Sequence, residues 1–488
     1  MFVILYSTRL VLNTLGEVDF GIFNIVGGVV AMLGFMNMAM ASTMQRFLNY
    51  EEGKNDINIQ TAIFNIGIVF HLVIAILLLI VFVIVGFVFF NGVLNIPEQR
   101  TDAAIIVYSS LIVSTVFTVL TVPYDSVLNA HENMLYYSVV GIIESLLRLL
   151  IAFFVVYTNG DKLIVYGIMM SFVPVFSMFL MRVYCRKKYL ECRVSVKKYF
   201  DKSLAKKMVS FASWNLLGTM TNMFGNYGNG IVLNHFFGAT LNAAAGIANQ
   251  IQGQLMVLSS GMMKALSPRI TKEEGLGNTA SMMQYSYMGC KYSFFLLSIF
   301  AVPFIVETPF LLKIWLKNVP QWTVLFVQLQ LMRALLEQLT VSLKKSLEAV
   351  GKIKGYNIAS LFFNLLPIPI LYTFYRNGFQ PYWHYIVAIT SMVGVETIVK
   401  MSFCKKYCGF KILDLYRGVF FPSAAFSIPA FICVLFWTQI LNASYLRLLI
   451  CFLSSLIVQF LFFYVSLSSI EKNSMSTSII NIKNRKMG

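Results

Sequence analysis

Apolar residues run along this chain in long blocks that short polar segments separate. A helix that spans a membrane needs about 20 mainly apolar residues, and the blocks predict thirteen such helices after a shorter apolar segment at 1–15. The thirteen predicted spans are 21–45, 61–90, 104–128, 134–157, 163–184, 208–236, 241–266, 284–306, 322–345, 356–375, 382–403, 416–438 and 444–467. The pattern predicts an all-α polytopic membrane protein with about 14 transmembrane helices, of which we expect the first to be truncated.

The composition agrees with this prediction. Hydrophobic residues make up 58% of the 488 residues and charged residues only 12%, whereas soluble domains carry roughly 25% charged residues. The net charge of +17 first suggests a nucleic-acid partner. The distribution of this charge argues against a nucleic-acid partner. The basic residues gather in every second loop, and these loops lie on one side of the membrane.

These basic loops orient the protein. With the N-terminus in the cytoplasm, the densest basic segment lies inside, as does the C-terminal tail. Its members are Arg182, Arg186, Lys187, Lys188, Arg193, Lys197, Lys198, Lys202, Lys206 and Lys207. The outer loops hold only Arg100, Lys162, Lys313, Lys317 and Arg376. This bias follows the positive-inside rule and predicts a cytoplasmic C-terminus.

Two stretches in different halves of the chain repeat one pattern. The first copy contains Val11, Gly16, Arg46 and Glu51-Glu52-Gly53, and the second contains Val232, Gly238, Arg269 and Glu273-Glu274-Gly275. At an offset of 219 residues, Leu128, Ala130 and Tyr137 also match Leu347, Ala349 and Tyr356. Each half has six predicted spans, an even number, so both copies enter the membrane from the same side and the repeat is parallel.

The repeat predicts how the chain is divided. We expect an N-lobe of helices 1–6, a basic cytoplasmic linker, a C-lobe of helices 7–12, helices 13 and 14, and a basic cytoplasmic tail. The corresponding ranges are 1–184, 185–207, 208–403, 404–469 and 470–488. The two six-helix lobes would be related by a pseudo-twofold axis along the membrane normal.

The span 208–236 carries a polar stripe. Asn215, Asn222, Asn226 and Asn229 recur at helical spacing, and Asn249 continues the stripe in the next span. Two interpretations stay open. Amides and small residues let membrane helices pack closely and hydrogen-bond each other, and the same side chains in a water-filled cavity would solvate sugar hydroxyl groups.

Charged residues inside predicted spans are costly and are therefore functional candidates. Arg9 lies in the first helix. A guanidinium in a cavity suits a diphosphate because it donates a fork of hydrogen bonds. The alternative is that Arg9 snorkels to the outer interface.

Two spans carry opposite charges four residues apart, Glu144 with Arg148 and Arg333 with Glu337. Each pair is either a neutralised structural pair, or an arginine that presents charge to a cavity beside a glutamate that titrates during coupling. His71 is a candidate proton relay, although a lone intramembrane histidine also serves as a packing or hydrogen-bonding residue.

Further charged residues lie at helix ends. Arg46 and Arg269, each ahead of Glu-Glu-Gly, either anchor the cytoplasmic loops or meet a diphosphate at the cytoplasmic mouth. We interpret Glu396 with Lys400 as an interfacial pair.

Enzymatic and metal chemistry have little support in the sequence. Cys404 and Cys408 have no second pair and no nearby histidine to complete a zinc site. No Walker-type lysine loop, nucleophile–base pair or metal-ligand spacing stands out. We therefore predict that the protein is not an enzyme and uses neither a cofactor nor a metal.

Several segments resemble one family of transporters. They are STRLVLNTLG at 7–16, DFGIFNIVGGVV at 19–30, TMQRFL at 43–48, VPY at 122–124, AHE at 130–132, SFASWN at 210–215 and NAAAGIA at 242–248. The chain resembles bacterial polysaccharide-biosynthesis transporters, the O-antigen or oligosaccharide-unit flippases of the multidrug/oligosaccharidyl-lipid/polysaccharide exporter (MOP) superfamily.

This resemblance implies two six-helix lobes around a central cavity and two extra C-terminal helices. It also implies alternating access that carries an undecaprenyl-diphosphate-linked oligosaccharide from the inner to the outer leaflet of the bacterial cytoplasmic membrane, for O-antigen, capsule or exopolysaccharide synthesis. The implied partners are that lipid-linked oligosaccharide, the bilayer and other polysaccharide-assembly proteins. Cavities in the family tend to be cationic, which fits Arg9, Arg148 and Arg333.

Other functions remain open. Within the superfamily the alternatives are a cation-coupled multidrug exporter and a peptidoglycan-precursor flippase. Drug exporters of this kind take mostly cationic substrates, so intramembrane arginine without surplus acid counts against that reading. Outside transport, short outer loops argue against a glycosyltransferase-type enzyme, and a duplicated core with paired intramembrane charges argues against a scaffold.

Overall fold

The computed structural model describes residues 34–90, 98–316 and 319–467, with isolated positions between 7 and 27. These residues are almost entirely helical and include no strand. Ten of the helices in this part are long and apolar enough to cross a membrane. The predicted all-α polytopic class is therefore confirmed, whereas the count of about 14 helices stays a prediction.

The helices of the first half follow the predicted spans closely. Their bounds are α1 Gly34–Lys54, α2 Ile57–Val88, α3 Thr101–Ala130, α4 Met134–Val156, α5 Lys162–Lys188, α6 Val196–Tyr199 and α7 Lys202–Gly275. Several begin at a side chain that accepts hydrogen bonds from the first turn, which fixes where the helix starts. Asp56, Asn133, Asp161 and Asp201 cap α2, α4, α5 and α7 in this way.

The helices of the second half are more interrupted. Their bounds are α8 Thr279–Leu316, α9 Thr323–Gln338, α10 Val341–Val350, α11 Lys354–Leu365, α12 Pro367–Arg376, α13 Trp383–Ala388, α14 Glu396–Tyr407, α15 Ile412–Leu415, α16 Phe421–Ile440 and α17 Tyr445–Val465. Wider π-helical turns at Ile389–Val395 and Tyr416–Phe420 join α13 to α14 and α15 to α16. Such π segments are rare and often lie at functional sites.

Helix α7 is two helices joined at a sharp break. Gly238 has φ 77° and ψ −174°, a conformation that glycine adopts without steric cost. The break falls between the predicted spans 208–236 and 241–266, so the sequence separated these two helices at the right place.

The chain forms two compact units. One contains Met1–Met220 with Thr271–Asn278, and the other contains Thr221–Ile270 with Thr279–Gly488. In the first unit, large buried side chains such as Phe64 and Leu128 form a core between α1, α2 and α3. In the second, Phe326 and Tyr385 belong to a buried core. The lobe boundaries expected from the sequence, with a linker at 185–207, stay a prediction.

The two sequence repeats share unusual backbone positions. Left-handed residues recur at matched places after corresponding helices. The pairs are Gly16 with Gly238, Asn55 with Gly277, and Glu132 with Gly351. Left-handed backbone is uncommon for residues other than glycine, so three matched occurrences indicate that the halves share one chain path.

Two buried cysteines give the same relation between helices. The Cys185 thiol donates to the carbonyl oxygen of Tyr124 at 3.8 Å, and the Cys404 thiol donates to that of Leu343 at 3.5 Å. Both donors and both acceptors are 219 residues apart. This contact therefore fixes the register of α3 against α5 and of α10 against α14 in the same way.

The two Glu-Glu-Gly motifs meet within the first unit. A Cβ atom placed on Gly53 would overlap the backbone carbonyl of Lys272, and one placed on Gly275 would overlap that of Tyr50. Residues 50 and 53 of the first copy correspond to residues 272 and 275 of the second. The contact is therefore reciprocal, and it requires glycine at both places because no side chain fits.

Candidate substrate cavity

The second unit contains a cavity of about 630 Å³ with a mostly polar lining. Helices α7, α9, α10 and α14 supply most of its side chains. The polar residues that line it are Asn222, Asn226, Asn229, Asn249, Gln252, Gln330, Arg333, Glu337, Gln338, Lys344, His384, Glu396 and Lys400. Such a lining favours a hydrated polar ligand over an apolar one.

The asparagines predicted from the stripe reach this cavity. Asn226 Nδ2 donates to the backbone oxygen of Asn222 at 2.9 Å and to its side-chain oxygen at 3.1 Å. Gln330 Nε2 donates to Asn249 Oδ1 at 2.9 Å, which links α9 to α7. Asn222, Asn226 and Asn249 remain exposed. They combine both earlier interpretations, since they hydrogen-bond between or along helices and still present amide groups to the cavity.

Arg333 lies in the cavity wall and is held in place. Its Nε donates to Glu337 Oε1 at 2.8 Å, and its Nη2 lies 3.5 Å from the sulfur of Met392. Met392 belongs to the π-helical turn Ile389–Val395. The Arg333 side chain is 13% exposed, so part of the guanidinium remains available to a ligand in the cavity.

Three more lining residues, Lys344, Glu396 and Lys400, lie at the end of the cavity that the predicted topology places in the cytoplasm. Lys400 Nζ lies 2.8 Å from Glu396 Oε1, and the Tyr356 hydroxyl donates to the same oxygen at 2.6 Å. Lys344 lies beside them, with its Nζ 5.9 Å from the centre of the Tyr356 ring. The cavity wall thus holds three cations, Arg333, Lys344 and Lys400, and two carboxylates, Glu337 and Glu396.

The first unit contains a smaller pocket of about 250 Å³. Asp125, Glu144 and Arg148 line it with Thr118, Thr121, Tyr137, Ser177 and several apolar residues. Glu144 and Arg148 form no ion pair within 4 Å in the described part of the chain. The structure therefore differs between the two predicted pairs, because only Arg333 and Glu337 are bonded.

Three predicted site residues lie elsewhere. Asn215 is buried in the first unit and donates to the carbonyl oxygen of Ala39 at 3.3 Å, so its position is one of helix packing. His71 is buried, and its Nδ1 lies 2.8 Å from the carbonyl oxygen of Gly67 in its own helix. Arg9 lies outside the described residues. The roles proposed for these residues stay predictions.

Arg46 and Arg269 lie five and four residues ahead of their Glu-Glu-Gly motifs and make similar contacts. The Arg46 guanidinium lies 5.0 Å from the ring centre of Phe211 and 4.7 Å from that of Phe47. Arg269 lies 4.9 Å from the ring centre of Tyr285. Each cation–π contact stabilises its helix end by about 0.5–1 kcal/mol. These contacts favour the anchoring role, and binding of a diphosphate at the mouth stays a prediction.

An ionic cluster lies beside Gly53 at the predicted cytoplasmic end of the first unit. His131 contacts Glu52 at 3.0 Å and Glu191, and it stacks on Tyr189 with ring centres 4.1 Å apart. Lys272 lies 3.4 Å from Glu132. Burial alone would lower the pKa of His131, but its hydrogen bonds to Glu191 and Glu52 raise it to about 9. His131 is therefore protonated at neutral pH.

Sequence reasoning missed several lining residues. Gln330, Gln338 and His384 lie in spans that were predicted from their apolar residues. The pattern gives Lys344 no role and places Lys400 in an interfacial pair with Glu396. One signal was available for Lys344. At the 219-residue offset Lys344 corresponds to Asp125, so the two halves differ in charge at this position. For a metal site, no group of three or more potential ligands occurs among the residues described.

Solved structures share this fold. A MOP superfamily transporter from Pyrococcus furiosus, described as having a binding pocket of reverse polarity, matches 85% of this chain and 92% of its own length at 11% identity and a TM-score of 0.69. A MATE transporter from Vibrio cholerae in its bent form matches 86% of this chain and 95% of its own length at 14% identity and a TM-score of 0.66. No curated protein sequence matches the chain. These matches show that the chain has the fold of these membrane transporters.

The sequence also identifies the family. The pattern of the family described as "Polysaccharide biosynthesis protein" matches residues 5–273, more than half of the chain. The chain belongs to this family, as the resemblance indicated. Family and fold together indicate a transporter rather than an enzyme.

Proposed function

We propose that this protein flips an undecaprenyl-diphosphate-linked oligosaccharide from the inner to the outer leaflet of the bacterial cytoplasmic membrane by alternating access. The product would feed O-antigen, capsule or exopolysaccharide synthesis. The proposal places the C-terminus in the cytoplasm and names the lipid-linked oligosaccharide and the bilayer as partners. Membership of the polysaccharide biosynthesis family supports it.

One observation carries the proposal: the cavity of the second unit combines a set of amides with a surplus of positive charge. Amide groups donate to and accept from sugar hydroxyls, and so they replace the water that a glycan loses. Arginine and lysine neutralise a diphosphate by charge-assisted hydrogen bonds. A glycan and a diphosphate are the two polar parts of a lipid-linked oligosaccharide, and the prenyl chain can stay in the bilayer.

The main alternative is a cation-coupled drug exporter, which the fold alone also permits. The cavity argues against it. Each carboxylate of the lining, Glu337 and Glu396, already pairs with a cation at 2.8 Å. A cationic drug would therefore meet no free carboxylate in this lining and would also meet the charge of Lys344. An anionic substrate would instead be attracted by the charge of Lys344.

A genetic experiment tests the proposal. The chromosomal gene would be deleted under control in its native host, and the leaflet distribution of lipid-linked repeat units and the amount of surface polysaccharide would be measured. We expect repeat units to accumulate on the cytoplasmic leaflet and surface polysaccharide to disappear, with both restored by the wild-type gene. Unchanged surface polysaccharide together with altered sensitivity to cationic drugs would contradict the proposal and favour the exporter.

A further inference from the structure

Among the three cations of the cavity lining, Lys344 is the one that forms no ion pair within 4 Å in the described part of the chain. Arg333 pairs with Glu337 and Lys400 pairs with Glu396, each at 2.8 Å. The neighbouring Lys345 pairs with Glu348 at 2.7 Å. Lys344 has no carboxylate within 4 Å among the described residues, and its recorded contact is the Tyr356 ring. It lines the cavity and is only partly exposed.

An unpaired ammonium group in such a place is unfavourable without a partner. Removing a charge from water costs several kcal/mol unless an opposite charge or hydrogen bonds replace the water. Glu396 cannot fill this role fully, because Lys400 and the Tyr356 hydroxyl already bind its Oε1. The cavity therefore has the residual charge of one cation at the end that the topology places in the cytoplasm.

The repeat shows that the fold does not require a cation there. The matched cysteine contacts fix the same register in both halves. At this register the second-half cavity and the first-half pocket are lined by the same four positions with different side chains. The pairs, with the first half named first, are Thr118 with Glu337, Asp125 with Lys344, Ser177 with Glu396, and Met181 with Lys400. The first half has a carboxylate where the second has Lys344.

We propose that Lys344, together with the Lys400–Glu396 pair, forms an anion-binding subsite that holds the diphosphate of the lipid-linked substrate when it enters from the cytoplasmic leaflet. The proposal rests on the proposed function for the identity of the substrate. Lys344 supplies three N–H donors and the net charge. Lys400 is positioned by Glu396 and by the helix α14, which follows the π-helical turn. The sugar would then lie toward Arg333 and the amides.

Binding to the purified full-length protein tests the subsite. Farnesyl diphosphate is the probe, with farnesol, inorganic pyrophosphate and short-chain phosphatidylglycerol as comparison ligands, and affinity is measured by calorimetry in detergent. Lys344→Gln should weaken farnesyl diphosphate binding about tenfold or more, since a hydrogen bond to a charged group contributes about 1.5–3 kcal/mol. Lys344→Arg should restore most of the affinity. Lys352→Gln, at an exposed lysine just after α10, is the control and should bind like the wild type.

The outcomes separate this proposal from the proposed function. Equal weakening by Lys344→Gln and Lys352→Gln, or no weakening by either, would overturn the subsite. So would binding of pyrophosphate or phosphatidylglycerol that depends on Lys344 while farnesyl diphosphate binding does not. Thermal unfolding of each variant shows whether it is folded, and unchanged farnesol binding shows that the prenyl site is intact. If farnesyl diphosphate binding does not depend on Lys344 but the protein still restores surface polysaccharide, the subsite is wrong and the proposed function is unaffected.

Discussion

The cavity of the second half and the pocket of the first half occupy matched places in a duplicated chain, but their linings differ in charge. Left-handed residues, a thiol-to-carbonyl contact and a reciprocal pair of glycines recur in both halves. The described lining of the second-half cavity has three cations and two carboxylates, and that of the first-half pocket has one cation and two carboxylates. The backbone plan is thus common to both halves, and the difference in charge is the basis of the anion site that we propose for the second.

Replacing Arg333 should have the largest effect on this comparison. Arg333→Gln leaves Glu337 as a lone carboxylate in the cavity and removes a donor for the substrate. Truncating one partner of a buried charge pair costs about 2–5 kcal/mol, so transport should fall about thirtyfold or more. Surface polysaccharide in a deletion strain measures it. Arg376→Gln, at the exposed arginine that ends α12, is the control, and equal activity of both variants would contradict the role of Arg333.

Breaking the reciprocal glycine contact should destabilise the common backbone plan. Gly53→Val or Gly275→Val drives a side chain into a backbone carbonyl, and such overpacking costs about 1–3 kcal/mol. The double variant should cost less than the sum, because one separation relieves both clashes. Thermal unfolding in detergent measures this. Gly261→Val, where a Cβ meets nothing within 4 Å, controls for the helix, and additive losses would argue against a single contact.

Arg148 of the first-half pocket provides a second test of the difference between the two halves. It shares the four-residue spacing of the Arg333 pair, but it is exposed and has no ion-pair partner within 4 Å among the described residues. Exposed charges contribute about 0–1 kcal/mol, so Arg148→Gln should lower transport by less than about fivefold. The same polysaccharide assay applies. A loss as large as that of Arg333→Gln would place the first-half pocket on the substrate path after all.

His131 has no titratable counterpart in the second half, since the matched position is Val350. The pKa of His131 is raised to about 9, so its contribution to stability is complete below about 6.5, the usual histidine value, and is lost as pH rises through about 9. The melting temperature of the wild type should exceed that of His131→Gln by a few degrees at pH 6, and the difference should shrink by pH 10. A difference that stayed constant from pH 6 to pH 10 would contradict the ion pairing of His131 with Glu52 and Glu191.

The sequence predicted the fold well because the apolar blocks and the repeat carry strong signals. The long blocks gave the helices, and Gly238 falls in the predicted break. Side-chain partners were harder to predict. The pairs at 144 and 148 and at 333 and 337 have the same spacing, but only the second is bonded, because the neighbours of each side chain decide its conformation. Helical spacing also grouped Asn215 with Asn222, although Asn215 packs against Ala39.

The position of Lys344 in the cavity lining could not be predicted from the sequence pattern. A lysine near the cytoplasmic end of an apolar span is the expected result of the positive-inside rule, so nothing in the pattern separated it from Lys345. The structure separates them, since Lys345 pairs with Glu348 and Lys344 lines the cavity. Comparing the halves at the 219-residue offset would have identified the position, because a lysine and an aspartate rarely serve the same structural purpose.

A flipping assay with the purified protein is the most direct test of whether it moves a lipid-linked oligosaccharide between leaflets. The full-length protein would be reconstituted in liposomes that carry a fluorescent prenyl-diphosphate-linked oligosaccharide, and the fraction reached by an external glycan-modifying reagent would be followed over time. We expect the labelled lipid to exchange rapidly between leaflets with the wild type, slowly with Arg333→Gln, and at the wild-type rate with Arg376→Gln. Exchange at the protein-free rate with the wild type, in liposomes where the same protein moves a cationic drug, would contradict it.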